Sequence, residues 1–109
     1  MFTSIDMKKL PKGLVKENGH KYVLLKSLKK DGKVIAKPGY IAVTSGLFGG
    51  FLACVVDQIV KDIYPDGQFE IEIWGKWMDL RTGEDWGEST HCFWNEKDWM
   101  NETFFIRPE

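Results

Sequence analysis

Two cysteines, Cys54 and Cys92, are too few for a disulfide framework, and the simplest reading is free thiols in a reducing, cytoplasmic compartment. No run of about 18 apolar residues occurs, which excludes a membrane-crossing helix. The opening residues MFTSIDMKKLPKG lack the apolar core of a secretory signal. Metal-ligand spacing is also missing: there is no CxxC and no HxxxH, so no metal is expected. Neither a Walker loop nor a GxGxxG fingerprint is present. His91 and Cys92 are neighbours, but adjacent residues of a strand point to opposite faces and cannot act on each other there. With no catalytic group in sight of a partner, no enzyme and no cofactor are expected.

What is present is ordinary for one globular domain over residues 1–109: 43% hydrophobic and 28% charged residues in a chain long enough for a single core. Residues 1–19 are read as a polar lead, an edge segment or a mobile arm. The net charge of −1 conceals two unlike halves. Residues 1–43 hold ten lysines against Asp6, Glu17 and Asp31, and no arginine. Residues 57–109 hold thirteen acids against five bases, together with all five tryptophans.

The longest apolar stretch, residues 44–64, organises the chain. Leu52, Val55, Val56, Ile59, Val60 and Ile63 recur at helical spacing, with Asp57, Gln58, Lys61 and Asp62 opposite. Their β-branching favours a strand by only a few tenths of a kcal/mol each. The period therefore predicts an amphipathic helix over about 51–64, ended by Pro65 and Gly67. Elsewhere, strands are predicted at 20–28, 33–36, 40–44, 68–77, 88–94 and 103–107. Turns are predicted at Asp31-Gly32, Pro38-Gly39, Pro65-Asp66-Gly67 and Thr82-Gly83. The expected fold is α+β, a small antiparallel sheet of about five strands packed on that one helix. The alternative makes 51–63 a strand hairpinned to 68–77, giving an all-β SH3-like barrel.

Three surfaces stand out. Along 68–77, Phe69, Ile71, Ile73 and Trp77 share one phase and are assigned to the core. Glu70, Glu72 and Trp74 share the other and are assigned to an outer face. Exposed tryptophan among polar residues is the composition of a binding hot spot, so Trp74, Trp86, Trp94, Trp99, Glu70 and Glu72 form the expected protein interface. The Gly-rich segment carrying Ser45, Gly46, Gly49 and Gly50 would face a helix N-terminus, where free N–H groups suit a small anion or nucleotide. The lysines of the first half offer nucleic acid a third surface, though without arginine for base contacts. The leading expectation is a small non-enzymatic protein that binds another protein, or a second copy of itself as a homodimer. By analogy of class, it would modulate or inhibit that partner as accessory and phage-encoded inhibitors do.

Overall fold

The computed structural model describes residues 10–45, 50–85, 90–94 and 103–108. These residues form ten strands and no helix: β1 (Lys21–Leu25), β2 (Leu28–Lys30), β3 (Lys33–Ala36), β4 (Ile41–Ser45), β5 (Phe51–Val55), β6 (Gln58–Ile63), β7 (Phe69–Gly75), β8 (Met78–Asp79), β9 (Thr90–Trp94) and β10 (Thr103–Ile106). One antiparallel sheet has the order β1-β6-β7-β9, a second has the order β10-β4-β5-β8, and β2-β3 is a separate hairpin. The α+β expectation is thereby corrected, and the all-β alternative describes the chain better.

The correction falls on the organising stretch. Residues 51–63 are two strands of different sheets, not one helix. The chain changes sheets between Val56 and Asp57 without a loop. Val56 still exchanges hydrogen bonds with the residues just before β4, donating to the Tyr40 carbonyl (2.7 Å) and accepting from Gly39 N–H (2.9 Å). Asp57 N–H already donates to the Trp74 carbonyl of β7 (2.8 Å). Strands that turn a corner between packed sheets in this way are a feature of near-orthogonal sheet packing. A second crossing follows β7, since Met78 pairs with Ala53 of β5 immediately after Trp77.

Turn chemistry holds as read. Asp31 and Gly32 both adopt positive φ (52° and 78°), which a two-residue hairpin between β2 and β3 demands. The Pro65-Asp66-Gly67 turn closes with Gly67 N–H on the Tyr64 carbonyl (2.9 Å), and the Asp66 side chain accepts from Gln68 N–H (3.0 Å). The lead is tied down over its second half. Tyr22 Oη donates to the Val15 carbonyl (3.3 Å) and accepts from Glu17 N–H (2.8 Å).

The core lies between the sheets and takes residues from both. Ala42 and Cys54 come from one sheet, Ile59, Ile71 and Ile73 from the other. Leu28, Ala36, Tyr40, Val56 and Trp77 close it. No helix of the described residues is long and apolar enough to cross a membrane.

Candidate functional site

In a strand, successive side chains alternate between faces, so each sheet has an inner and an outer set. In the sheet β10-β4-β5-β8 the inner set is Ala42, Thr44, Leu52, Cys54, Asp79, Thr103 and Phe105. The outer set follows from the register. Ile106, Ile41 and Val55 form one cross-strand row; Phe104, Val43, Ala53 and Met78 form the next; Ser45 and Phe51 form the third. Leu80, two residues beyond Met78, extends that third row, its N–H donating to the Phe51 carbonyl (2.9 Å).

None of these outer positions carries a charge. An antiparallel sheet with one face on the core ordinarily turns a polar face to water. Here Val55 is 61% exposed, and Phe51, Met78, Leu80, Phe104 and Ile106 are between 40% and 52% exposed. Their combined accessible area is roughly 600 Å², at the upper end of what the surface of a monomeric protein ordinarily leaves uncovered. Charges sit at the rim instead. Asp57 and Lys76 border Val55 at one end. Beyond Leu80 the exposed Arg81 follows, and the exposed Asp85 bridges Met78 at the edge of the middle row.

The outer side of β1-β6-β7-β9 is built differently and corrects the outer-face expectation. Trp74 is 1% exposed and Glu72 4% exposed. β7 is an interior strand between β6 and β9, and it is buried on both sides. Trp74 Nε1 donates to Glu72 Oε1 (2.8 Å), which gives the buried carboxylate and the indole N–H one partner each. The His91 ring lies over Trp74 (centroids 4.5 Å apart), and Phe93 meets His91 edge-on. Further along, His20 bridges Asp62 (2.8 Å) and Glu17 (3.2 Å), and packs on Tyr64. Glu70 is exposed, and its hydrogen bond to Tyr64 holds the phenol up at about 12.

Burial pushes the Glu72 carboxyl above the usual range, with Asp62 and Glu70 adding to the effect; the Trp74 hydrogen bond and nearby His91 oppose it. A carboxyl raised on folding contributes most to stability below its unfolded pKa of about 4.3. That contribution is lost as pH rises through the folded value. Glu72→Gln retains an oxygen for Trp74 and removes the titration. Its unfolding free energy is expected to fall less than the parent's between acid and neutral pH. Parallel stability curves for the two proteins would contradict this account of Glu72.

The remaining sequence-derived positions separate. Trp94 is half-buried in a cleft of about 470 Å³ with Tyr40, Phe105, Lys30 and Arg107. Trp86 and Trp99 lie outside the described residues, as do Gly46 and Gly49. Ser45 ends β4 opposite Phe51, and Gly50 directly precedes β5, a strand where the helix was expected to begin. The helix N-terminus that an anion site at this loop required is therefore absent. Lys29, Lys30 and Lys33 are exposed on the β2-β3 hairpin, and Lys21, Lys26 and Lys37 are exposed nearby in the chain. Cys54 and Cys92 are free thiols inside the fold; burial pushes them up to about 12 and about 11, far from a reactive thiolate.

The apolar outer face escaped sequence reasoning, although its signal was present. The runs Ile41-Ala42-Val43, Phe51 to Val55 and Phe104-Phe105-Ile106 are apolar in both phases, the pattern of strands covered on two sides. A scan against protein-family models, a search of curated proteins and a search of solved structures each find no match.

Proposed function

We propose that this chain is a protein-binding module whose docking surface is the outer face of the sheet β10-β4-β5-β8. The observation that supports the reading is the patch of six large apolar side chains, 40–61% exposed, on a face whose strand residues carry no charge. Removing such a face from water is favourable at about 25 cal/mol per Å² before the entropy of association is subtracted. The uncharged centre with charges at its rim is also the usual anatomy of an interface. The interface expected around Trp74 and Glu72 moves to the opposite sheet, because a side chain buried within its own chain offers a partner no contact area.

Affinity capture from the native host with four baits tests the reading. The parent and Val23→Asp, an exposed position on the other sheet, are expected to retain the same protein. Val55→Asp and Phe104→Asp are expected to lose it while keeping the parent's circular dichroism. Retention of that protein by all four baits would remove the outer face from the account.

A further inference from the structure

We infer that the occupant of the β10-β4-β5-β8 outer face is a second copy of this chain, packed sheet on sheet about a two-fold axis; the inference rests on the docking role proposed for that face. Charge narrows the choice first. A face whose strand positions carry no ionisable side chain matches only another neutral, apolar surface, since a charged group placed on it would be desolvated without a partner. The chain itself presents such a surface. A two-fold axis brings the same patch to both sides, as in most homodimers.

Relief is the second point. Across the middle row, Phe104 and Met78 stand on the edge strands at 52% and 40% exposure, while Val43 between them is only 7% exposed and Ala53 is small. The face is thus a shallow trough with ridges on either side. Two such faces interdigitate when the ridge of one enters the trough of the other, which is how sheets pack at about 10 Å separation. Area is the third. About 600 Å² from each copy buries roughly 1,200 Å² in total, the lower bound for a stable, specific interface. The rim agrees: Asp57 and Lys76 together border Val55, so each copy offers both signs at that end to its partner.

Sedimentation velocity across a range of protein concentrations tests the inference. The parent is expected to move from the 12.6 kDa monomer to a species of twice that mass as concentration rises. Val55→Asp should weaken self-association about thirtyfold or more, as placing a charge on a buried apolar contact does. Phe104→Asp, on an edge strand where a charge disturbs folding less, should do the same. Val23→Asp should dimerise like the parent. A parent that stays monomeric at every concentration overturns the second copy as occupant. If capture by the same parent still depends on Val55 and Phe104, the docking face survives with a different protein on it. Dimerisation equal in all four proteins overturns the inference outright, because the dimer then uses another surface.

Discussion

Trp74→Ala and Trp77→Ala are each expected to destabilise the fold by about 3–5 kcal/mol, the range for large aromatic side chains truncated in a packed interior. Trp77 is fully buried between the sheets with Ile59, Ile71 and Ile73. Trp74 is buried on the other side of β7, and its loss also leaves the buried Glu72 carboxylate without its donor. An orphaned buried group costs about 1–3 kcal/mol on its own, which places Trp74→Ala at the upper end of the range given for both variants. Chemical denaturation of the two variants and the parent measures both effects. A Trp74→Ala protein with the parent's midpoint would place that indole in solvent and restore the interface expected there from sequence.

Gly75→Ala is expected to destabilise by about 3 kcal/mol or more, at the top of the range for overpacking. Gly75 ends β7 where the chain crosses between sheets. A Cβ there would stand 2.5 Å from the Val55 carbonyl oxygen and 2.9 Å from Cys54 Sγ. Backbone offers no rotamer through which to escape, so β5 itself must shift. Gly50→Ala is the control, because its nearest contacts would be 3.9 Å and 4.0 Å away, in ordinary van der Waals range. Urea denaturation should separate the two by most of that difference. Equal midpoints would show that β5 yields freely at Val55. The same clash bears on function, since Val55 is the most exposed apolar side chain of the docking face, and a displaced β5 carries it out of its row.

The sequence made the turns legible because their chemistry is local. Asp31-Gly32 and Pro65-Asp66-Gly67 dictate backbone angles without reference to anything distant. The strands around them followed. The stretch 51–63 was not legible, and the reason is geometric. β5 sends Leu52 and Cys54 inward and Val56 follows them, and β6 buries Ile59 and Val60 on opposite faces. The change of sheet at Val56-Asp57 shifts the phase between these sets. Leu52, Val56 and Ile59 of the helical stripe are inward residues brought into i, i+4, i+7 spacing by that shift, while Val55 and Val60 are apolar residues of the opposite faces that fill in i+3 and i+8. The β-branched composition spoke for strands, and here it outweighed the period.

Trp74 failed for a related reason. Phase places it opposite Ile71 and Ile73, and phase alone equates that with solvent. An interior strand is enclosed on both sides once its polar side chains find partners, as Glu72 does with Trp74 itself. The docking face failed in the reverse sense. Apolar residues in both phases of β4, β5 and β10 announce two covered faces, but sequence does not say that the second cover lies outside the chain.

The outer face exists only if residues 51–63 are two strands of different sheets, since only then do Phe51, Ala53 and Val55 line it. Backbone nuclear Overhauser effects test this directly. Cross-strand contacts are predicted between 41–45 and 51–55, matching Val43 with Ala53, and between 58–63 and 69–74, matching Val60 with Glu72. A continuous series of i to i+3 contacts from Leu52 to Ile63, with those cross-strand contacts missing, would contradict the fold and remove the face with it.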